Sequence, residues 1–383
     1  MKTTVYLDHA ATSYPKPPGV ISAVTDCMKH SGGNPGRGSH RLSMAAAREI
    51  YACREAAAEL FGSSPERVIF TLNTTHALNL AIKGIMGRGG HAVCSDMEHN
   101  SVYRPLYRLA SDGVIDFDVF DTFPAAPART ADQLLSSLLS KLRPDTRMVV
   151  CSHASNVCSA TLPIERIGAL CRRMGILFVV DAAQSAGNLP IDVERMGIDI
   201  LCLPGHKGLM GPQGTGMMIL GERVASEAVD TLMEGGNGMD SLRGEMGEDT
   251  PERYEPGTLQ TPSIAGLRAG MEFLRSVGIE TIGAHERRLC GALRDRLMQI
   301  PKVRVYAPFH EGAVVLFSVE GYSSEEVGQR LDAEGICVRP GFHCSALGHK
   351  TLGTPPGGAV RASFGWTSRE RDGEALLRVV KGL

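Results

Sequence analysis

The sequence predicts an α/β fold in which a large domain, built on a mostly parallel sheet, precedes a smaller α+β domain. Between about residues 66 and 220, short apolar segments alternate with helix-like segments. The apolar segments are continuous rather than alternating, which is typical of parallel strands covered by helices on both faces. With 383 residues, the chain is long enough to bury two or three cores.

A change of composition between residues 233 and 262 divides the chain. This stretch is rich in Gly, Pro and charge, which indicates a long functional loop. We therefore predict a large domain over 16–255 and a small α+β domain over 256–383, with residues 1–15 packing on the small domain. The sequence leaves the order of the loop at 234–256 open.

Each predicted element follows from its local pattern. The predicted strands of the large domain are 68–72, 92–95, 114–120, 148–152, 177–181, 200–203 and 216–220. Helices are predicted between them at 75–86, 131–142 and 164–174. After the loop we predict helices at 263–276 and 284–298, strands at 313–319 and 336–338, and a closing helix near 369–381.

Composition and charge exclude several classes of protein. The apolar fraction of 43% and charged fraction of 21% are those of a globular chain rather than a disordered one. A net charge of −2 gives no argument for nucleic acid or an anionic membrane as partner. We also expect no membrane span and no secretory signal. The ten cysteines are scattered without a CxxC pair, which indicates reduced thiols and a cytoplasmic location.

Two neighbouring strands bring an acid and an amine to one edge of the sheet. The strand at 177–181 ends in Asp181, and Lys207 follows the strand at 200–203. Ligands of open parallel sheets bind beyond these carboxyl ends. A cofactor that needs both a covalent amine and an anion under a protonated ring nitrogen is pyridoxal phosphate (PLP). Lys207, made nucleophilic by desolvation, would bind PLP covalently, and Asp181 would keep its ring nitrogen protonated.

Other polar residues near the strand ends suit the rest of this cofactor. Gln184 is placed to hydrogen-bond the 3-oxygen of the ring. Thr74 and Thr75, where a strand gives way to a helix, would bind the phosphate. His99 could stack on the ring and carry protons, and Asn156 could contact a cofactor oxygen or a substrate carboxylate.

Each of these residues also has a structural interpretation. Asp181 could cap a turn, Lys207 could lie on the surface, and Thr74 or Thr75 could serve only as a helix N-cap. His99 alone would be a surface residue at the start of a helix. The structural interpretation weakens when all of these residues are taken together at their spacing.

Several segments resemble one known family in order along nearly the whole chain. The core segments are VVDAAQS (179–185) and PGHKGLMGPQGTG (204–216). The others are YLDHAATSYPKP (6–17), NPGRGSHRLS (34–43), FTLNTTHALNLAIKG (70–84), EHNSV (98–102), SHASNV (152–157), YEPGTLQTP (254–262), RPGFHCS (339–345) and VRASFGW (360–366). Together they resemble the class V aminotransferase family, specifically its cysteine desulfurases and selenocysteine lyases.

The resemblance implies PLP-dependent transferase fold type I and a homodimer with its active site at the subunit interface. It also implies that Thr258 reaches the phosphate of the other subunit's cofactor, while Thr75 and His206 contact the phosphate within their own subunit. The sequence departs from many relatives at Pro204, where a Ser commonly stands. Because proline has no hydroxyl, one phosphate contact must be replaced or lost.

Cys344 differs from the other cysteines because it lies on a Gly- and Pro-kinked loop beside Arg339 and His343. Such neighbours can keep a thiol partly as thiolate. Its position matches the family's persulfide-bearing cysteine. A competing interpretation is a metal site formed by Cys337, His343, Cys344 and His349, although their spacing resembles no compact zinc pattern.

Arg361 lies within a predicted strand at 359–364, where a guanidinium would be costly without an anion. A clamp on the substrate α-carboxylate explains it and matches the family's substrate-binding arginine. A structural salt bridge is the alternative. The short stretch from Cys344 to Arg361, with the Gly before His206, resembles the second, SufS-like group of desulfurases, which usually pass sulfur to a partner protein.

The leading hypothesis is therefore an enzyme, a cysteine desulfurase, that converts L-cysteine to L-alanine and leaves a persulfide on Cys344, with Lys207 and His99 also catalytic. One alternative is a selenocysteine lyase, or another PLP lyase or transferase of the family, that does not need Cys344. A second is a non-catalytic thiol- or metal-binding protein. The sequence leaves open the sulfur acceptor and the pathway, be it iron–sulfur cluster assembly, RNA thiolation or selenium metabolism.

Overall fold

A seven-stranded sheet, a four-stranded sheet and a two-stranded pair organise the computed structural model, which describes residues 4–36, 38–126, 129–238 and 242–383. The strands are β1 (Val5–Tyr6), β2 (Val68–Thr71), β3 (His91–Ser95), β4 (Asp116–Phe120), β5 (Thr146–Ser152), β6 (Leu177–Asp181), β7 (Ile200–Pro204), β8 (Gly216–Leu220), β9 (Val303–Val305), β10 (Val314–Val319), β11 (Ile336–Cys337), β12 (Arg339–Gly341) and β13 (Ala359–Ser363).

Eleven α-helices are found in the described residues. They are α1 (Pro18–His30), α2 (Arg41–Phe61), α3 (Thr74–Met86), α4 (Asn100–Ser111), α5 (Ala131–Leu139), α6 (Ile164–Met174), α7 (Thr261–Val277), α8 (Ile279–Leu297), α9 (Ser324–Ala333), α10 (Ala346–Leu352) and α11 (Glu370–Lys381). None of the helices in the described ranges is both long and apolar enough to cross a lipid bilayer.

The large sheet has the strand order β2-β8-β7-β6-β5-β3-β4. From β7 through β4 every neighbouring pair is parallel, whereas β8 runs antiparallel to both β7 and β2. One face packs against α2, α5, α6 and α7, and the other packs against α3 and α4. This double cover explains the continuous apolar strands, and the prediction of a mostly parallel α/β sheet is confirmed.

The C-terminal part of the chain forms a second sheet. It has four antiparallel strands in the order β12-β13-β10-β9. Its core includes side chains of α8, α9 and α11. The N-terminal segment joins this core, because β1 pairs in parallel with β11 and Leu7 is fully buried there. The predicted boundary at 255/256 stays a prediction, while α7 packs on α1, α2 and the core of the large sheet.

The predicted elements differ from the observed ones mainly at their ends. Helix 284–298 begins earlier, at Ile279, and strand 114–120 begins later, at Asp116. Helices α1, α2, α4, α9 and α10 were not predicted from the sequence. In α2 the buried face includes several small alanines, which weakens its apolar pattern. In α4 Pro105 lies inside the helix, where proline is usually excluded, although the helix is amphipathic.

The loop between β8 and α7 is anchored at its C-terminal end. Its residues 239–241 lie outside the described part of the chain. Glu255 is buried and makes a bidentate ion pair with Arg54, and it also accepts a hydrogen bond from the backbone N–H of Phe70 at 2.6 Å. Tyr254 donates from its hydroxyl to the carbonyl of Val229 at 2.9 Å.

Candidate active site

The carboxyl ends of the parallel strands open into a cavity of about 510 Å³. β5 and β6 end side by side, with Ser152 opposite Asp181 in register. The cavity brings together eight of the residues predicted from sequence, namely Thr74, Thr75, His99, Asn156, Asp181, Gln184, His206 and Lys207. Strand ends that are far apart in sequence therefore converge on one site.

Lys207 lies directly after β7, and burial lowers the pKa of its amine to about 8, with the positive charge of Arg361 adding to the effect. Its backbone is held by the N-terminal segment. The carbonyl of His206 accepts hydrogen bonds from the Ser13 N–H (3.1 Å), the hydroxyls of Thr12 (3.0 Å) and Ser13 (3.2 Å), and Lys16 Nζ (2.7 Å). No role was predicted for these three residues, although they lie within the segment YLDHAATSYPKP (6–17).

Asp181 is buried, and burial raises the pKa of its carboxyl. Its Oδ1 accepts a hydrogen bond from the Ala183 N–H at 2.8 Å, while Oδ2 accepts none from the described residues. Gln184 donates from Nε2 to the carbonyl of Ala10 at 3.0 Å, which ties it to the N-terminal segment. The site therefore presents a buried carboxyl oxygen with unused hydrogen-bonding capacity to the cavity.

Glu98 is a second buried carboxyl next to Asp181 that the sequence analysis did not single out. Burial raises the pKa of Glu98 to about 8. Its carboxyl accepts hydrogen bonds from the Ser95 hydroxyl and from both the N–H and the hydroxyl of Ser152, the latter two at 2.9 Å. The only signal for it was its place immediately before His99 in the segment EHNSV.

His99 is the N-cap of α4, and its Nδ1 accepts a hydrogen bond from the Ser101 N–H at 3.1 Å. Because Nδ1 is the acceptor, the proton of the neutral ring lies on Nε2. Burial lowers the pKa of His99 to about 4, with the nearby positive charge of Lys207 adding to the effect. His99 is therefore a neutral ring with one N–H at neutral pH.

The start of α3 offers an anion site. The N-cap is Asn73, whose side chain accepts from the His76 N–H at 2.9 Å, so the interpretation of Thr74 or Thr75 as the N-cap is wrong. The first-turn N–H groups of a helix have no acceptor within it. Thr74 and Thr75 line the cavity, and the Thr75 hydroxyl lies 2.7 Å from that of Ser101.

His206 and Pro204 lie at the same end of the site as Thr12. The Nδ1 of His206 is 3.1 Å from the Thr12 hydroxyl, and burial lowers the pKa of His206 to about 4. Pro204 is the last residue of β7 and pairs with Gly216 of β8, so it is part of the sheet. The hydroxyls of Thr75 and Ser101, which line the same cavity as His206, are 2.7 Å apart.

Arg361 lies in the middle of β13 and is 1% exposed. Its Nη2 donates to Oδ1 of Asp8 at 2.8 Å, and its Nη1 donates to the carbonyl of Asn156 at 3.1 Å. Its Nε has no partner among the described residues. The structural salt bridge therefore exists, and it leaves the Nε–H of the guanidinium unused.

Cys344 is the exposed one of the ten cysteines, all of which are unpaired. Its sulfur accepts a hydrogen bond from Arg339 Nη2 at 3.5 Å. The expectation that His343 also supports a thiolate is wrong, because the ring of His343 is buried and contacts the Arg339 carbonyl and His349. Burial lowers the pKa of His343 to about 3, so this ring is uncharged at neutral pH.

The cysteine loop is docked directly on the rim of the cavity. The backbone N–H of Asn100, the residue after His99, donates to the Cys344 carbonyl at 2.7 Å. Asn156 Nδ2 donates to the His343 carbonyl at 2.8 Å. Hence two cavity elements hold the loop, although Cys344 and Arg361 do not themselves line the cavity.

Thr258 and the residues of the alternative metal site do not line this cavity. Thr258 is exposed and accepts a hydrogen bond from Asn34 Nδ2 at 3.3 Å, so its contact with a partner's cofactor stays a prediction. Within the described ranges, no group of three or more His, Cys, Asp or Glu residues could hold a metal ion. His343 and His349 instead hydrogen-bond each other.

The whole chain is similar to one protein family. The family model of class V aminotransferases matches residues 5–376, so the chain belongs to this family. A probable cysteine desulfurase from Methanothermobacter thermautotrophicus is 33% identical over 372 residues, covering 95% of this chain and 90% of the relative. The cysteine desulfurase of Serratia proteamaculans is 30% identical over 349 residues, covering 89% and 84%.

A solved structure gives the same result. The apo structure of a cysteine desulfurase from Thermococcus onnurineus superposes with a TM-score of 0.89 at 29% identity, covering 99% of this chain and 94% of that one. The fold is thus that of PLP-dependent transferases of fold type I, and PLP is the cofactor of this family. The site fits PLP, because it supplies a buried amine, a buried carboxyl oxygen and the N-terminus of a helix.

Proposed function

We propose that this protein is a PLP-dependent cysteine desulfurase that converts L-cysteine to L-alanine and collects the sulfur as a persulfide on Cys344. The observation that carries the proposal is the docking of the Cys344 loop on the cavity that contains Lys207 and Asp181, through Asn100 and Asn156. The names of the relatives support the same reaction.

The residues of the cavity hold the cofactor. Lys207 would bind it covalently, and the buried carboxyl of Asp181 would accept a hydrogen bond from its ring nitrogen. Thr74, Thr75 and His206 would hold the phosphate, with the hydroxyl of Ser101 in place of the one that Pro204 lacks. Gln184 would hydrogen-bond the ring oxygen, and His99 would pack on the ring. When bound, PLP withdraws electrons from the α-carbon of the attached amino acid.

Arg361 and Asn156 bind the substrate carboxylate. The unused Nε–H of Arg361 gives it a donor beyond those that Asp8 and the Asn156 carbonyl occupy. A guanidinium in a buried position binds a carboxylate strongly because little water competes for it. This contact orients the α-carbon of the substrate toward Lys207.

Lys207 removes the proton from the α-carbon. Its lowered pKa, about 8, makes a neutral amine available near physiological pH, which a lysine with its usual value would not provide. The Nε2–H of His99, which lines the cavity, would be available to donate a hydrogen bond to the substrate. Its low pKa keeps His99 uncharged during the reaction.

Cys344 then receives the sulfur. Its sulfur, which accepts a hydrogen bond from Arg339, forms an S–S bond with the substrate sulfur as the carbon–sulfur bond breaks. The electron pair of that bond stays with the carbon fragment, which takes up protons and leaves as L-alanine. One cysteine and one enzyme thiol thus give one alanine and one enzyme persulfide.

We also propose a sulfur-acceptor protein, a homodimer and a cytoplasmic location. The exposed position of Cys344 suits transfer of its sulfur to an acceptor protein. A homodimer would bring Thr258 to the partner's phosphate site. Ten unpaired thiols suit a cytoplasmic location.

Alanine release from L-cysteine in the presence of a thiol reductant tests the function. We expect turnover by the wild type, almost none by Cys344→Ala, and near-normal turnover by the control Cys337→Ala, whose thiol is half-buried in β11. Cofactor absorbance should be the same in all three. Full cysteine turnover by Cys344→Ala would overturn the proposal, as would a protein that acts on L-selenocysteine alone.

A further inference from the structure

The loop that carries Cys344 has an unusual backbone. Gly341, His343 and Cys344 have φ values of 98°, 52° and 55°, in the left-handed region. For residues with a side chain this conformation is uncommon and costs energy, so it persists only where surrounding contacts hold it. The contacts around His343 therefore decide where the Cys344 sulfur lies.

A chain of three side chains that do not line the cavity holds the loop. His343 Nε2 lies 2.8 Å from the carbonyl of Arg339, His343 Nδ1 lies 2.9 Å from His349 Nε2, and His349 Nδ1 lies 2.9 Å from the Thr354 hydroxyl. The two imidazole rings are also stacked, with centroids 5.1 Å apart.

The direction of every hydrogen bond in this chain follows from its first member. The carbonyl of Arg339 can only accept, so the proton of neutral His343 lies on Nε2 and its Nδ1 is an acceptor. His349 must then donate from Nε2 and accept at Nδ1 from Thr354. Burial lowers the pKa of His343 to about 3 and that of His349 to about 4, which agrees with two neutral rings.

We propose that His349 is a positioning residue for Cys344, acting through the ring of His343 to hold the left-handed turn that presents the sulfur to the cavity. This inference rests on the proposed function, because it concerns the cysteine that receives the sulfur. His349 is buried in the middle of α10, and it does not line the cavity. Its removal should therefore affect sulfur transfer and spare cofactor and substrate binding.

Steady-state kinetics with L-cysteine on the PLP-loaded enzyme test this role. His349→Leu should lower kcat between about 10-fold and about 100-fold, with little change in KM or cofactor absorbance, because misplacing a reacting atom by about 1 Å costs this much. His349→Gln should restore most of kcat, since its amide can donate to His343 and accept from Thr354. The matched control is His310→Leu, a half-buried histidine with one hydrogen bond to the Pro124 carbonyl.

Thr354→Val provides a second kinetic test of this role if His349→Leu does not fold. It removes only the last hydrogen bond of the chain, so kcat should fall less, again at unchanged KM. Equal kcat for wild type, His349→Leu and Thr354→Val would overturn the inference, as would a loss of kcat that His349→Gln fails to restore. Loss of the proposed function is distinguishable, because then Cys344→Ala would keep full cysteine turnover.

Discussion

Arg361 donates a hydrogen bond from Nη2 to Oδ1 of Asp8 at 2.8 Å, and this ion pair joins the second sheet to the N-terminal segment. The same segment continues to Thr12, Ser13 and Lys16, which hold the carbonyl before Lys207. The N-terminal segment therefore connects the proposed substrate-binding arginine to the proposed catalytic lysine. A change in this segment should therefore affect both residues.

Replacing Arg361 with Lys should weaken substrate binding. Lysine keeps the positive charge but loses the planar set of donors that can serve Asp8, Asn156 and a carboxylate at once. KM for L-cysteine should rise by at least about 10-fold, the equivalent of one lost charge-assisted hydrogen bond, with a smaller change in kcat. An unchanged KM, measured by alanine release, would remove Arg361 from the substrate site.

The pH dependence of cofactor loading should report the pKa of Lys207. Only a neutral amine can bind the cofactor covalently, and burial lowers this pKa from 10.5 to about 8. The loading rate of the apoprotein, followed by absorbance, should rise with pH to a midpoint near 8. Because the charge of Arg361 contributes to the lowering, Arg361→Met should move the midpoint upward; a midpoint near 10.5 in the wild type would contradict this account.

Lys16→Met should slow the reaction without removing the cofactor. It deletes the ammonium that donates to the His206 carbonyl at 2.7 Å while keeping the apolar stem of the side chain. A hydrogen bond from a charged group contributes roughly 1.5–3 kcal/mol, so kcat should fall about 10-fold. Lys29→Met, at an exposed position of α1, is the control. Equal kcat for the two variants would show that the Thr12 and Ser13 contacts suffice.

Glu286→Gln should change how stability depends on pH. Glu286 lines a second cavity, of about 740 Å³, that also borders Lys207, and it accepts a hydrogen bond from Asn188 Nδ2 at 2.8 Å. Burial raises the pKa of Glu286 from 4.5 to about 8. A raised pKa contributes stability that is complete below pH 4.5 and is lost as pH rises through 8.

The melting temperature of Glu286→Gln should therefore match that of the wild type near pH 4.5 and exceed it by a growing margin up to pH 8. The amide keeps an acceptor for Asn188, so the packing is preserved. Parallel melting curves for the two proteins over the whole pH range would mean that Glu286 is ionised in the folded state.

The sequence predicted the large sheet and most of the cavity because these depend on local patterns. Continuous apolar strands are typical of a parallel sheet that is covered on both faces. The residues that follow parallel strands lie at the same edge of the sheet. Asp181 and Lys207 were found in this way. In contrast, Glu98 and the hydrogen bonds of Thr12 and Lys16 depend on contacts between segments distant in sequence, which no local pattern reports.

The cysteine loop illustrates the same limit. Its sequence indicated that Cys344 differs from the other cysteines, and the thiol is indeed exposed. It could not indicate that His343 faces away from the sulfur, because this orientation follows from a left-handed backbone and from the ring of His349. Residues that are adjacent in the sequence can therefore lie in different environments.

The central claim is that Cys344 accepts sulfur from L-cysteine, and the most direct test is to locate that sulfur. The PLP-loaded protein is mixed briefly with L-cysteine without reductant, alkylated and digested, and its ten cysteine peptides are compared by mass spectrometry. We expect one additional sulfur atom on the peptide that contains Cys344 and on no other. Alanine formation with the additional sulfur on a different cysteine, or on none, would contradict it.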